Sequence, residues 1–210
     1  METEPRTLVV TGEGTAHGTP DRCLLHLALN VMAESAANAL DRVADLAARA
    51  VQSIRELGIE PRDVQTTNLS LNDFYDREKE RVTARVASYS LNVRTPSLED
   101  TGPVLAALSS VAGDSLQVHR LQLVVSDPEA LEASARRAGV VDASARAQQL
   151  TQAAGVSLGH ILAITEGQGP RGGRTVRSVG FAGSVASSMP IEAGEVTSAV
   201  AVTVTYAIED

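Results

Sequence analysis

The sequence predicts an α+β fold: antiparallel sheet with helices packed on one face, a long Ala-rich helix and an extended β-hairpin. Three observations carry the prediction. Between Glu195 and Glu209 the residues alternate, with Val196, Val200, Val202, Val204, Tyr206 and Ile208 on one side and Thr197, Ala199, Ala201, Thr203, Thr205 and Ala207 on the other. Successive strand side chains point to opposite faces, so this is a long strand buried on one face only. Leu40, Val43, Ala47, Ala50, Ile54 and Leu57 instead recur at three- and four-residue steps, which is an amphipathic helix. Helices and strands also alternate without the regular βαβ spacing of a parallel sheet.

Each element has its own signal. Thr7 to Gly12 is a short β-run, and Gly14, Gly18 and Pro20 read as a turn or irregular stretch. Asp21 to Glu34 is a second strand with Cys23, Leu25, Leu27, Leu29 and Val31 on its inner face. Ser35 is placed to cap the first helix, which Gly58 and then Pro61 terminate. Val64 to Phe74 and Val82 to Thr95 are strands around the charged tip Arg77 to Arg81, which makes a hairpin. Ser97 is placed to cap a second helix closed by Gly113, and Leu116 to Ser126 is a strand with Leu121, Leu123 and Val125 inward. Ser126-Asp127-Pro128 starts a helix that runs to Ala154, with Gly155 as its stop.

That long helix carries two stripes of small residues. Leu131, Ala135, Ala138, Val141 and Ala145 form one; Val140, Ala143, Ala147, Leu150 and Ala154 form the other. One stripe can cover a sheet, and the first is a candidate self-association surface. His160 to Thr165 is a strand, Gly167 to Arg174 is Gly-rich, and Val176 to Phe181 reads as a short strand. Ala182 to Met189 has no period and reads as mobile. The chain of 210 residues reads as a single α+β unit, 1–210, or as two intertwined subdomains of about 1–95 and 96–210.

Composition excludes more than it identifies. The net charge of −8 argues against binding to nucleic acid or to an anionic membrane, since both need a basic surface. Lys79 is the sole lysine, so the usual Schiff-base and P-loop roles of lysine have no candidate elsewhere. Cys23, the one cysteine, lies in an apolar run and reads as a small buried hydrophobe. No stretch is long and apolar enough for a transmembrane helix, and Met1 to Arg6 does not have the form of a signal peptide. A cytoplasmic protein is therefore the expectation.

The motifs point to no reaction. Gly167 to Gly172 spells G-x-G-x-x-G, but strand follows where a dinucleotide site needs a helix, and Pro170 removes an N–H donor. A hairpin loop is the better reading. Arg171, Arg174 and Arg177 make that loop basic, and they are the candidate anion-binding residues. Gly12-Glu13-Gly14 fails the same helix test; its glycines suit a bulge or a close backbone approach. His17, His26, His119 and His160 have no metal-binding spacing with one another or with Cys23. Catalytic residues, metal ligands and cofactor-binding residues are thus none.

An ordered set of segments runs from Val9-Val10-Thr11-Gly12-Glu13-Gly14 through Leu57-Gly58-Ile59, Asp63-Val64-Gln65-Thr66 and Tyr89-Ser90-Leu91-Asn92-Val93. It continues with Ser126-Asp127-Pro128 and its Ala-rich helix, and with Pro190-Ile191-Glu192-Ala193-Gly194-Glu195-Val196. In this order the features resemble the SIMPL-domain family, the group that includes YggE-like bacterial proteins. The resemblance implies an α+β fold, a tendency to form symmetric homo-oligomers and no established catalytic residues. Relatives are often exported and linked to envelope or oxidative-stress phenotypes. The leading expectation is a non-enzymatic, self-associating structural or interaction protein, stress-related, with no cofactor and an unidentified protein partner. The alternative is a small-molecule or anion-binding module using the Arg171–Arg177 loop.

Overall fold

A computed structural model describes residues 6–168, 175–177 and 192–209. It is an α+β structure of two antiparallel sheets, each with helix on one face. The chain divides into two compact units. Asp21–Val124 forms one; the described residues before Asp21, and those from Val125 to Arg177 and from Glu192 onward, form the other.

In the Asp21–Val124 unit, β2 (Arg22–Ala33), β3 (Val64–Asp76), β4 (Arg81–Arg94) and β5 (Leu116–Val124) make a sheet of order β3-β4-β2-β5. The inner face of β2 is the expected one: Cys23, Leu25, Leu27 and Leu29 are at most 1% exposed. Helices α1 (Ala36–Glu56) and α2 (Thr101–Ala112) cover that face. α1 begins where expected, the Ser35 hydroxyl accepting from the Asn38 N–H at 3.2 Å. It ends at Gly58, whose φ of +82° is the left-handed conformation a helix stop requires. Ala39, Val43, Leu46, Ala47, Ala50 and Ile54 are its buried stripe.

α2 starts later than Ser97 predicts. Ser97 instead makes the turn ahead of it: its N–H and hydroxyl donate to the Asp100 carboxylate at 3.1 and 2.8 Å. Asp100 N–H donates back to the Ser97 hydroxyl at 3.3 Å, a reciprocal pair of the capping-box kind set one turn before the helix.

In the other unit, β1 (Thr7–Gly18), β6 (Ser157–Gln168) and β8 (Glu195–Glu209) form a sheet of order β1-β8-β6, and β7 (Thr175–Arg177) also pairs with β8. Val196, Val202, Val204 and Tyr206 of β8 are at most 5% exposed, as the alternation requires. α3 (Pro128–Ala154) covers β1 and β8. The Asp127 carboxylate caps it, accepting from Ala130 N–H at 2.8 Å, and Gly155 ends it at φ +70°.

Three strands differ from expectation. β1 does not stop at Gly12 but pairs with β8 through Gly18. The glycines there do not bend the strand; they thin it. β6 spans Ser157–Gln168, longer than His160 to Thr165, with irregularities in its pairing near Ile161. β5 ends at Val124, so the expected inward Val125 falls outside it. The segment Ala182 to Met189 and most of Val176 to Phe181 lie outside the described residues.

Candidate interaction surfaces

α3 meets β1 backbone to backbone. A Cβ added to Gly14 would lie 1.9 Å from the Ala135 carbonyl oxygen and 2.3 Å from the Gly139 nitrogen. One added to Gly12 would lie 2.2 Å from the Gly139 oxygen and 2.3 Å from the Ala143 nitrogen. Neither glycine has a positive φ, so both are there for space and not for backbone freedom. This is the close backbone approach that Gly12-Glu13-Gly14 predicts. The helix answers with a run of small residues four apart: Ala135, Gly139, Ala143, Ala147 and Thr151 are its buried positions.

The candidate self-association stripe is therefore divided. Ala135 is fully buried against its own unit, and the half-buried Leu131 lies against Gly18. Ala138 is half-buried, Ala145 is exposed, and Val141 is 68% exposed. The buried run takes Ala135 from one expected stripe, Ala143 and Ala147 from the other, and adds a glycine and a threonine. Close approach selects for small volume, and a stripe drawn from hydrophobicity does not follow it.

α3 also closes the open edge of β1. Ile208 N–H donates to the Arg6 carbonyl, so Thr11 and Glu13, odd-numbered like Thr7, turn their backbone groups away from β8. Glu13 N–H donates to Asp142 at 2.8 Å, and Arg146 donates to the Thr11 carbonyl at 2.9 Å. Asp142 and Arg146 are themselves paired at 2.9 Å. The ion pair thus occupies backbone groups that an incoming strand would need.

Two other strands, β3 and β6, lie at sheet edges that their helices cover less. α1 packs on β2 and β4 and barely reaches β3, so Leu69 and Leu71 on the helix-side face of β3 are 55% and 38% exposed. A groove of about 640 Å³ opens between α1 and this strand, lined by Leu40, Ala44, Ala48, Val51, Leu69 and Tyr89 among others. β6 is similar: α3 passes over β1 and β8, and Ile161, Leu162 and Ile164 are each about half exposed. Arg136 of α3 reaches β6 only by its guanidinium, 2.9 Å from Glu166, and Glu166 followed by Glu132 holds that group more firmly protonated than usual.

Among the described residues, reactive groups do not converge. Cys23 is in the core, where burial pushes its thiol pKa up and away from the thiolate. No group of His, Cys, Asp and Glu among the described residues could hold a metal ion. At the hairpin tip the Asp76 carboxylate accepts from the Glu78 and Lys79 N–H groups and pairs with Lys79 Nζ at 3.2 Å. The Lys79 contacts, backbone first, lower its pKa. The charged tip of the hairpin is thus a mixed-charge turn. Arg171 and Arg174 lie outside the described residues; only the backbone of Arg177 is described, paired with Glu195 at the end of β7.

The sequence profile of SIMPL, a protein of unknown function (DUF541), matches residues 8–206. The chain belongs to the SIMPL family. A 26 kDa periplasmic immunogenic protein of Brucella melitensis is 31% identical over 220 residues, covering all of this chain and 87% of that protein. A protein of the same name from Brucella abortus matches equally well. The uncharacterised YggE protein of Edwardsiella ictaluri is 23% identical over 158 residues, 75% of this chain and 66% of that one.

Likeness to solved structures is slight. The regulatory subunit of aspartate kinase from Thermus flavus aligns over 92% of this chain and 87% of its own at 12% identity, with a TM-score of 0.21. A hydantoinase/carbamoylase family amidase from Burkholderia ambifaria aligns over 55% and 28% at 17% identity, with a TM-score of 0.25. Neither carries an argument about this chain. The Brucella relatives overturn the expectation of a cytoplasmic protein. Their names place them in the periplasm, and the composition of a polar N-terminal stretch does not outweigh a match along the whole chain. No helix among the described residues is long and apolar enough to cross a membrane.

Proposed function

We infer that this chain is a non-enzymatic, self-associating interaction protein that acts outside the cytoplasm, as the names of its Brucella relatives suggest. One observation carries the reading. Each sheet has a strand that its helices leave uncovered, and those strands present Leu69 and Leu71, or Ile161, Leu162 and Ile164, to solvent. Water-exposed aliphatic side chains grouped on strand edges are a docking surface, not a reaction centre.

Light scattering and sedimentation on the purified protein test the reading. It expects an oligomer at micromolar concentration, and a strict monomer overturns it. Fractionation of cells producing the full gene product tests the location, with recovery in the cytosol alone as the contrary result.

A further inference from the structure

We propose that β3 is a self-pairing edge: two copies join antiparallel about a two-fold axis through Ser70, making one continuous sheet. The proposal rests on the self-association inferred above and names its surface.

The strand is self-complementary about that residue. Asn68-Leu69-Ser70-Leu71-Asn72 reads the same in both directions. An antiparallel dyad at Ser70 sets Leu69 opposite Leu71 of the second copy, Asn68 opposite Asn72, and Ser70 opposite itself. Leucine then meets leucine on one face, and amide meets amide on the other.

Backbone parity agrees. Thr95 N–H donates to the Cys23 carbonyl at 2.8 Å, so the odd-numbered residues of β4 turn their backbone groups toward β2 and the even-numbered ones toward β3. Ser70 is paired with Ser88 and Leu69 with Tyr89. Ser70 therefore bonds to β4, whereas Leu69 and Leu71 send their N–H and C=O groups to the open edge. Those are the groups that a Leu69–Leu71 pairing across the dyad consumes, four hydrogen bonds in all by strand geometry.

Faces and charge agree as well. Leu69 and Leu71 lie on the helix side, where pairing would gather both copies' leucines beside the two α1 helices. From Val64 to Asn72 there is no charge, so two copies of a chain with net charge −8 meet here without like-charge contact. The same register brings the tip Arg77–Arg81 of each copy toward Glu60–Asp63 of the other. The tip has three cations to two carboxylates, and its counterpart has two carboxylates to one cation. No Lys, Pro or inward charge interrupts the run, in contrast to the guarded edge of β1.

Disulfide trapping decides the matter. Ser70 would form a non-hydrogen-bonded pair with its own copy, Cα atoms about 4.5 Å apart, within the range a disulfide spans. The native Cys23 is buried and does not compete. Oxidised Ser70→Cys should run mostly as a covalent dimer on a non-reducing gel. Asn72→Cys should stay monomeric on that gel, because its copies would be about 13 Å apart along the strands. An equal mixture of Asn68→Cys and Asn72→Cys should trap a heterodimer.

If the unmodified protein is a monomer, the self-association reading fails and this proposal fails with it. If it is an oligomer but Ser70→Cys is not trapped and stays open to a maleimide, only this proposal fails, the edge being free for a strand of another protein. Trapping of Asn72→Cys alone as readily as Ser70→Cys overturns the register.

Discussion

Gly14→Ala is the sharpest perturbation of the fold. The new methyl would sit 1.9 Å from the Ala135 oxygen and 2.3 Å from the Gly139 nitrogen, where an ordinary contact needs at least 3.4 Å. The obstructing atoms are helix backbone, so no side chain can rotate out of the way. α3 has to move off the sheet by about 1.5 Å, loosening Val202 and the other residues packed beneath it. Overpacking of a tight core costs about 1–3 kcal/mol, and a clash with backbone belongs at the upper end. We expect about 3 kcal/mol, and a melting temperature lowered by roughly 6–12 °C. Urea and thermal denaturation followed by far-ultraviolet circular dichroism measure it. Gly12→Ala should behave alike. Gly139→Ala should cost less, since its tightest contact is a methyl of Val202 at 3.0 Å and alanine favours the helix by about 1 kcal/mol. Gly167→Ala, with its nearest atom 4.0 Å away, is the control. A Gly14→Ala protein as stable as Gly167→Ala, within about 0.5 kcal/mol, would refute the argument from close approach.

Further outcomes can be checked on the same protein. Leu25→Ala, at a fully buried position, should lose about 2–5 kcal/mol, measured by urea titration. Asp142→Ala removes the acceptor of the Glu13 N–H, so amide exchange at Glu13 should speed up while the middle of β8 stays protected. The Asp76 carboxyl should titrate below the usual carboxylate range by NMR. A depressed folded pKa contributes stability that is present above the unfolded value and lost as pH falls through the folded one, so the tip should loosen only on acidification. Lys79→Ala should reverse that depression in part, because the residue 79 N–H still donates.

Much of the fold is legible because several local signals agree. β8 shows itself by alternation, α1 by its stripe between Ser35 and Gly58, and the start of α3 by Asp127-Pro128. Each is a property of neighbouring residues. α3's partner is not, because the fit of Ala135, Gly139 and Ala143 against Gly12 and Gly14 is a matter of volume between distant segments. Hydrophobic period cannot report it, since glycine scores as a gap in a stripe and as a break in a strand. The same glycines made β1 read as ending early. Uncovered strands are hidden for a related reason: Leu69 and Leu71 have the pattern of core residues, and only the course of α1 leaves them in water. The basic loop residues were legible as a charge cluster and as nothing finer.

β8 is the common partner of β1, β6 and β7. A ribosome makes β1 among the first strands and β8 after the rest, so a growing chain holds three orphan strands until the last ladder arrives. Closing so long a loop is slow, whereas the contiguous Asp21–Val124 unit can assemble meanwhile. Removing the first dozen or the last dozen residues of this sequence would thus strike the same sheet, and losing all of β8 would dissolve every pairing described in it.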